Sequence, residues 1–562
     1  MVTQYVQRSQ IAYFSMEIAI HENIPTYSGG LGILAGDSML SAADLELPIV
    51  AVTLVSREGY FHQVLESTGK QTESPEKWEP SDVAICLNAK VSVLIEGETV
   101  WVGAWLYELK GHRNGCIPII LLDTFLAENS EHNQTLTHHL YGGDKRYRLK
   151  QEAILGIGGE RMLQALGFNL TRYHMNEGHS ALLVSELLHR FRYRQVDLRE
   201  KESAYNLPRV RKMCCFTTHT PVEAGHDHFS YDLVNEVLRD ELDIEFIKEH
   251  AGRDNLNMTR LAMNCSEHIN GVAKKHADVS RAMFPGYQIN AVTNGVHPRR
   301  WVSESKAKLF DSYLPGWCHE TELLRNVDGI PNVEFWNAHQ QSKQRLIHHV
   351  EIALGISLDL DVPIIGFARR MTSYKRADLL FSNIERLKSL AQGQPFQIIL
   401  GGKAHPQDQE GKHLIEQLHI VSQTLRDNIT IVFLENYNMT QAKLLVSGCD
   451  VWLNTPLRPY EASGTSGMKA AINGVLNLSV LDGWWVEGCI EGQTGWSIGG
   501  ELPSENGNDA LSLYDKLEHA VLPKYYEHRD EWIQMMKTSI QKNGTFFNSH
   551  RMMRRYVCES YI

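Results

Sequence analysis

The chain is predicted to be an α/β protein of two doubly wound lobes, and three features of the sequence indicate this fold. Short β-branched apolar runs recur in both halves, each followed by a polar or glycine-rich turn and a segment with helical spacing. This alternation is typical of parallel sheets that are covered by helices on both faces. A glycine and a proline interrupt the chain within residues 294–298, which indicates a junction between the lobes.

Eight apolar runs are the strand candidates, and they lie at residues 11–15, 49–55, 117–122, 213–217, 362–368, 396–400, 429–434 and 450–453. The helix candidates of the second half lie at 377–390, 409–425 and 440–447. We expect an N-terminal lobe over 1–300 and a C-terminal lobe over 301–562, with the helices after residue 516 packing back on one or both lobes. Ligands of such sheets bind beyond the carboxyl ends of the strands.

Composition restricts the class of protein. The 562 residues are 43% hydrophobic and 22% charged, which suits large buried cores and excludes a disordered chain. The net charge of -12 argues against nucleic acid or an anionic membrane as the partner. The first residues lack the apolar run of a secretion signal, and no apolar stretch approaches the roughly 18 residues that cross a bilayer. Nine cysteines without a CxxC pair are typical of reduced thiols, so a cytoplasmic location is expected.

A glycine-rich turn, Ser28-Gly29-Gly30-Leu31-Gly32, precedes a helical pattern. Glycines let backbone amides approach an anion at a helix N-terminus, where the helix dipole also favours negative charge. A tight connection with no ligand is an equally good interpretation of this turn by itself.

A basic cluster follows the strand candidate at 362–368 and contains Arg369, Arg370, Lys375 and Arg376. Four cations within eight residues repel one another unless an anion lies among them, and a phosphate would suit the end of a parallel strand. The alternative is a solvated loop whose charges pair with surface carboxylates.

A third cluster, residues 461–469, places small and hydroxyl residues before a helical stretch. Backbone amides and hydroxyls at a helix start can donate to oxyanions, and Lys469 would face the same cleft from the first turns of the helix. Ser463 and Thr465 could instead be simple helix caps, with Lys469 exposed.

The run EASGTSGMKAAINGVLNLSVLDG resembles the pyridoxal-phosphate lysine motif of the α-glucan phosphorylases, the glycogen and maltodextrin phosphorylase family. Further blocks similar to that family occur in the same order between about residues 13 and 487: YFSMEI, GGLGILAGD, RLKQE, HMNEGHSAL, FTTHTP, NGVAKKH, TNGVHPRRW and RRMTSYKR. The resemblance implies two Rossmann-like lobes in the glycosyltransferase B arrangement, with the active site in the cleft between them. It also implies that orthophosphate cleaves terminal α-1,4-linked glucose from an α-glucan or maltooligosaccharide, with retained configuration, to give α-D-glucose 1-phosphate.

The resemblance also assigns roles to individual residues. Lys469 would form the Schiff base with pyridoxal 5′-phosphate, whose phosphate exchanges protons with the substrate phosphate. The catalytic cations would be Arg370 and Lys375, with the Gly30 amide donating to the phosphates. The other cofactor contacts would be Arg369, Thr465 and Tyr437. The sugar contacts would be Leu31, His219, Asn294, Glu461, Ser463 and Gly464.

Two assignments stay open from the sequence. His179 suits either a sugar pocket or a satisfied core position. His219, His226 and His228 lie close together, but their spacing does not place them on one element, so we expect no metal site.

The chain departs from the long members of the family at several positions. Asn438 stands where those enzymes have an arginine, Ala19 where they have a tyrosine near the cofactor, and Gly467 where they have an asparagine. Arg458 could be a substitute cation near the phosphates. No counterpart of the regulatory N-terminal extension precedes Tyr13, so control of that kind is not expected, and shortened segments leave glucan preference and a homo-oligomer open.

Two other functions compete with phosphorolysis. One is a nucleotide-sugar-dependent glucan synthase, and the other is a non-catalytic relative that only binds glucan. Lys469 in its SGTSGMK setting argues against the synthase, because such enzymes need no lysine-linked cofactor. Lys469, Arg370, Lys375 and Glu461 together argue against the non-catalytic relative.

Overall fold

The computed structural model describes residues 2–113, 115–194, 203–500 and 506–562. Its strands are β1 (Ile11–Ser15), β2 (Ile49–Leu54), β3 (His62–Leu65), β4 (Gln71–Ser74), β5 (Ile85–Cys86), β6 (Val91–Ile95), β7 (Glu98–Lys110), β8 (Cys116–Asp123), β9 (Arg172–Asn176), β10 (Cys214–Thr217), β11 (His228–Ser230), β12 (Asn255–Asn257), β13 (His268–Gly271), β14 (Asn290–Ala291), β15 (Ile364–Ala368), β16 (Gln397–Gly401), β17 (Ile431–Leu434), β18 (Val451–Asn454), β19 (Leu476–Val480) and β20 (Gly495–Ile498).

Its α-helices are α1 (Thr3–Arg8), α2 (Gly30–Asp44), α3 (Glu131–Gln134), α4 (Lys145–Ala153), α5 (Gly159–Ala165), α6 (Leu183–Arg190), α7 (Leu207–Met213), α8 (Tyr231–Leu238), α9 (Ile244–Ala251), α10 (Met258–Asn264), α11 (Lys274–Met283), α12 (Pro298–Trp301), α13 (Glu304–Tyr313), α14 (Asn332–Leu354), α15 (Ile384–Gly393), α16 (Gln409–Leu425), α17 (Met439–Gly448), α18 (Thr465–Ile472), α19 (Trp485–Gly488), α20 (Asn506–Lys516), α21 (Leu522–Glu527), α22 (Arg529–Ser539) and α23 (Ser549–Tyr556). Among these described helices, none combines the length and the apolar character that crossing a membrane requires.

The first sheet contains a run of parallel strands in the order β8, β2, β1, β9, β10, β13 and β14. β7 extends it antiparallel to β8, and β5 and β6 pair with β7. Every residue of β1 and β2 is buried because both faces of the sheet are covered. The order of strands reverses direction at β1, so the loops after β1 and β9 lie at the switch point where such sheets bind ligands.

The second sheet is parallel throughout, in the order β17, β16, β15, β18, β19 and β20. This is the order of a nucleotide-binding doubly wound sheet, and its switch point lies between β15 and β18. The basic cluster follows β15, and Glu461 follows β18. The prediction of an α/β protein with two doubly wound sheets is confirmed.

The predicted helix at 377–390 is partly wrong, since α15 begins only at Ile384. Arg376 has a left-handed backbone (φ 47°) and is buried. Its guanidinium donates to the carbonyls of Thr455 and Pro456 and to the Asp509 carboxylate. These contacts hold the chain in turns over the first part of the predicted helix, because a buried guanidinium needs all of these acceptors.

The last helix, α23, packs against α2. Ser549 and Ser41 share a hydrogen bond of 2.6 Å, and His550 Nε2 lies 3.1 Å from Asp44 Oδ2. The end of the described chain thus contacts a helix that covers the first sheet. The domain boundary after residue 300 stays a prediction.

Candidate active site

The glycine-rich turn is held by a buried carboxylate. Glu17 follows β1, and its Oε2 accepts hydrogen bonds from the backbone N–H groups of Ser28 (2.5 Å) and Gly29 (3.3 Å). A Cβ atom on Gly32 would lie 2.6 Å from the same oxygen, so a side chain there would displace Glu17. α2 then begins at Gly30, which is exposed and has open space around it. The N-terminus of α2 therefore presents free amides to the cleft.

The basic cluster is organised around Glu461. Arg369 Nη2 donates to Glu461 Oε2 at 2.5 Å, and Lys375 Nζ lies 2.9 Å from each oxygen of that carboxylate. Burial alone would raise the pKa of Glu461, but Arg369 and Lys375 lower it to about 2. Glu461 is therefore an anion at every physiological pH, and it fixes two of the predicted phosphate-binding cations.

Arg370 differs from Arg369 and Lys375 in its exposure and in its hydrogen bonding. Its side chain is exposed, and its guanidinium makes no hydrogen bond or ion pair with any residue that the structure describes. A Cβ atom on Gly29 would lie 3.6 Å from Arg370 Nη2. The guanidinium thus faces the start of α2, and the two predicted anion-binding loops meet.

Several buried polar atoms beside this meeting point also lack partners among the described residues. They are Arg369 Nε, Arg369 Nη1, Thr372 Oγ1 and Ser463 Oγ. An unpaired buried donor costs about 1–3 kcal/mol. Three of the four atoms belong to the basic cluster, so an oxyanion bound here would satisfy donors that the protein leaves unpaired.

α18 carries the predicted cofactor lysine. Gly464 caps the helix with a left-handed backbone (φ 84°), and Thr465 is its first residue. Lys469 is buried, and its Nζ lies 3.9 Å from the centre of the Trp301 ring. Burial lowers the pKa of Lys469 to about 8, with Asp37 opposing the shift. The amine is consequently far easier to deprotonate than an ordinary lysine.

Two of the predicted sugar contacts, His219 and Asn294, lie at the carboxyl edge of the first sheet. His219 follows β10, and its Nε2 lies 2.7 Å from Asn176 Oδ1, while its backbone N–H donates to Glu177. Burial lowers the pKa of His219 well below its usual value, so the ring is neutral. Asn294 is buried, and its Oδ1 has no partner within the described ranges.

His179 and Leu31 border the same edge. His179 Nε2 lies 3.2 Å from Arg148, and burial lowers the pKa of His179 to about 3. Its ring packs edge-on against Tyr141, whose hydroxyl donates to Glu17. His179 is therefore linked to the glycine turn through Tyr141. Leu31, the second residue of α2, is half-buried.

Tyr437 follows β17 and is half-buried. A Cβ atom on Gly401 would touch its ring at 3.4 Å, and burial raises the pKa of its hydroxyl. Arg369 interacts with it electrostatically, so Tyr437 lies beside the basic cluster.

Three of the departures have local structural explanations. The Asn438 side chain caps α17 by accepting from the backbone N–H of Gln441. A Cβ atom on Gly467 would lie 2.6 Å from Asn477 Oδ1, so only glycine fits there. The Ala19 carbonyl accepts from Arg300, and Ala19 itself is fully buried.

Arg458 does not contribute a phosphate-facing cation here. Its guanidinium donates to Asp509 at 2.8 Å and to the Gly500 carbonyl at 2.5 Å, and its side chain is only 7% exposed. Asp509 also pairs with Arg376. The suggestion that Arg458 is a substitute cation is therefore replaced by a structural role, because its guanidinium is buried and its donors are directed to Asp509 and the Gly500 carbonyl.

The histidines after β10 do not converge on one point. His226 Nδ1 bonds with Thr259, and His228 Nδ1 bonds with the His226 carbonyl. Another group, Asp44, His297 and His550, brings its ligand atoms within 4.8 Å of one another. His297 Nδ1 accepts from the Arg300 N–H, so the ring proton is on Nε2 and is donated to Asp44. That tautomer suits a hydrogen bond, since a metal would need the Nε2 lone pair.

Sequence reasoning did not single out three residues of this site: Glu17, Glu177 and Trp301. Glu177 has a left-handed backbone (φ 74°) and accepts from the His219 N–H and the Thr220 hydroxyl. The available signal was an acidic residue within two positions of the end of a buried strand for both glutamates, and a tryptophan closing the block TNGVHPRRW.

Comparisons with known proteins agree with the geometry. The family described as carbohydrate phosphorylase matches residues 243–495. The maltodextrin phosphorylase of Thermococcus litoralis is 39% identical over 594 aligned positions, which cover 98% of this chain and 70% of that protein. The glycogen phosphorylase of Aquifex aeolicus is 34% identical, covering 99% of this chain and 86% of that protein. An uncharacterized protein of Methanocaldococcus jannaschii is 31% identical, covering 98% and 99%.

These matches extend over nearly the whole chain, and the characterised relatives are enzymes that transfer glycosyl groups. The resemblance seen in the motifs is confirmed. The chain belongs to the carbohydrate phosphorylase family, and it is an enzyme of that family.

Proposed function

We propose that this chain catalyses retaining phosphorolysis of terminal α-1,4-linked glucose from an α-glucan or maltooligosaccharide, with pyridoxal 5′-phosphate as cofactor. The products are α-D-glucose 1-phosphate and the shortened glucan. The observation that supports this most is the exposed Arg370 guanidinium, which has no partner in the described chain and faces the start of α2. A guanidinium and helix-terminal amides are the donors that suit a phosphate.

The neighbouring cations have bonding capacity left for phosphate. An ammonium group has three donors, and Lys375 directs two toward Glu461, which leaves one for a phosphate oxygen. Arg369 Nε and Nη1 have no hydrogen-bond partner among the residues that the structure describes. Arg370 and Lys375 would bind the substrate phosphate and stabilise the charge that develops when the glycosidic bond breaks.

Glu461 is suited to binding sugar and unsuited to donating a proton. A carboxylate offers about four acceptor sites, and three are used by Arg369 and Lys375, which leaves room on Oε1 for one glucose hydroxyl. Its pKa of about 2 makes it a poor general acid near neutral pH. This favours phosphorolysis over the two-carboxylate hydrolysis of retaining glycosidases.

The residues present also fit the cofactor. A carbonyl cofactor needs an amine that loses its proton easily, and the buried Lys469 has a pKa of about 8. Lys469 would hold the cofactor covalently, Arg369 and Thr465 would bind its phosphate, and Tyr437 would lie beside it. When bound, the cofactor supplies a phosphate group that exchanges a proton with the substrate phosphate.

The sugar-side residues would orient the terminal glucose. The neutral His219 and the unpaired Asn294 Oδ1 suit uncharged hydroxyl groups, because neither brings a charge that competes for the phosphate. Leu31, His179, Ser463 and Gly464 would complete this pocket.

The test is a product assay with the purified full chain, pyridoxal phosphate and a ladder of maltooligosaccharides and branched glucans. Glucose 1-phosphate should appear only when phosphate is added. A parallel reaction supplies a nucleotide-glucose and a glucan primer instead. Elongation from the nucleotide-glucose, or glucose release without phosphate, would contradict the proposal, and the ladder would identify the preferred chain length.

A further inference from the structure

A buried aspartate accepts a hydrogen bond from the tryptophan that contacts Lys469. Asp37 is on α2, two turns after Gly30, and is 1% exposed. Its Oδ2 accepts from the Trp301 indole N–H at 2.7 Å and from the His297 backbone N–H at 3.1 Å. Its Oδ1 accepts from Arg300 at 3.0 Å. Three donors thus fix this carboxylate in one position.

The indole of Trp301 lies between two charges. Its N–H points to the Asp37 carboxylate, and its face contacts the Lys469 amine, whose Nζ is 3.9 Å from the ring centre. An indole is the best aromatic partner for a cation, and the attraction is strongest when water is excluded. A hydrogen bond from the indole to an anion makes the ring more electron-rich and so strengthens that attraction.

The ring is the main contact that orients the amine. Lys469 forms no hydrogen bond or ion pair in the part of the chain that the structure covers. A long aliphatic side chain without such bonds would normally sample several rotamers. Fixing the ring therefore fixes the amine.

We propose that Asp37 is a positioning residue for Lys469 and acts through the indole of Trp301. The inference rests on the proposed function in that Lys469 is the residue that takes up the cofactor. It adds a physical link between the two halves of the site, since the helix that presents the Gly30 amide also orients the cofactor lysine. Two formal charges act on the amine, with Asp37 favouring the ammonium form and Arg300 opposing it.

The first test measures the protonation of Lys469 in the cofactor-free full chain. Competitive labelling with acetic anhydride across a pH series gives the pKa of Lys469 when its peptide is quantified by mass spectrometry. Asp37→Asn keeps the size of the side chain but removes its charge, which leaves Arg300 unopposed. We expect the pKa of Lys469 to fall by about one unit.

Two variants test whether Asp37 acts on Lys469 through the indole of Trp301 or through a general effect on the fold. Trp301→Phe keeps an aromatic face but removes the N–H donor, and it should also lower the pKa of Lys469. Asp44→Asn is the matched control, because Asp44 lies on the same helix two turns away and bonds to His297 and His550 instead of Trp301. It should leave the pKa of Lys469 unchanged. If Asp37→Asn does not fold, as judged by circular dichroism and thermal melting, Trp301→Phe still tests the proposal.

The second test measures whether the Lys469 amine is oriented for reaction with the cofactor. Near about pH 10 a lysine with a lowered pKa is largely the free amine in every variant, so the rate of pyridoxal phosphate uptake reports geometry. Asp37→Asn and Trp301→Phe should take up the cofactor more slowly than the wild type, by about threefold or more. Uptake is followed by near-ultraviolet absorbance.

An unchanged Lys469 pKa and an unchanged uptake rate in Asp37→Asn would overturn the proposal. A lowered pKa in Asp37→Asn with wild-type behaviour in Trp301→Phe would overturn the route through the indole. A wild-type chain that takes up no pyridoxal phosphate would contradict the proposed function, and the labelling experiment would still decide whether Asp37 controls Lys469.

Discussion

The charged residues at the carboxyl edges of the two sheets have different kinds of partner. On the first sheet, Glu17 and Glu177 accept hydrogen bonds from backbone amides and hydroxyls, so they shape loops. On the second sheet, Arg369 and Lys375 share one carboxylate and Arg370 has no partner in the described chain, so positive charge is in excess. The second edge therefore carries unbalanced positive charge, whereas the carboxylates of the first edge are engaged by backbone and hydroxyl donors.

The cation without a partner in the described chain, Arg370, thus follows a strand of the second sheet, whereas the buried carboxylates that fix loops follow strands of the first sheet. An exposed guanidinium that no carboxylate engages is open to an anionic ligand, and such groups are concentrated at functional sites. Burying the carboxylates that shape loops, Glu17 and Glu177, costs less free energy than burying them without partners would, because each accepts several hydrogen bonds at fixed positions. Four substitutions test this difference between the two edges.

The largest effect is expected from Lys469→Ala. The variant should lose both the near-ultraviolet absorption of bound pyridoxal phosphate and all phosphorolysis, since no other lysine lies on α18. Absorption spectra and the glucose 1-phosphate assay measure the two losses. Retained turnover would reject Lys469 as the cofactor lysine.

Arg370→Ala should reduce kcat/KM for phosphate by about 100-fold, or about 3 kcal/mol, as for other lost oxyanion donors. The matched control is Arg458→Ala in the same lobe, whose guanidinium is bound to Asp509. Arg458→Ala should lower the melting temperature but keep the phosphate KM. Equal kinetic losses in the two variants would show that the second edge is not specifically a phosphate site.

Glu461→Gln should change the acid stability of the protein. The native pKa of Glu461 is lowered from 4.5 to about 2, so the stability it contributes is complete above pH 4.5 and is lost as the pH falls toward 2. A shift of this size corresponds to about 3 kcal/mol. Urea unfolding at several pH values should show the wild type losing this much across the interval relative to Glu461→Gln. Parallel curves for the two proteins would contradict the ion cluster.

His219→Ala is expected to have the smallest effect. His219 Nε2–H donates to Asn176, so the ring offers a sugar hydroxyl its Nδ1 lone pair; losing this acceptor should lower kcat/KM for maltooligosaccharide by about tenfold, with a similar KM for phosphate. Initial rates with each substrate varied in turn measure both constants. A selective rise of the phosphate KM would show that His219 acts on phosphate and not on the sugar.

Helices and strands were predictable from the sequence where residues within a few turns determine them. β1 spans Ile11–Ser15 and α16 spans Gln409–Leu425, as expected from an apolar run and from helical spacing. Asp408 caps α16 with its side chain, which fixes where that helix begins. The helix expected at 377–390 starts late because the distant Asp509 holds Arg376, and no local pattern contains that contact.

The candidate active site also depends on contacts between distant residues, which a local sequence pattern does not contain. The motifs indicated Arg369, Lys375 and Glu461 individually, but the ion cluster joins residues 86 and 92 positions apart. Trp301 and Asp37 were missed because each acts through contacts with distant segments, such as α18 and the end of α12.

The order of apolar runs, turns and motif residues was enough to determine two doubly wound sheets, the family and the chemical types in the cleft. Only the tertiary structure decided which cations are neutralised, which one stays unpaired and which ring orients Lys469. The reason is physical. Periodicity and capping depend on neighbours within a few turns, whereas pairing and burial depend on which distant segments the sheets bring together.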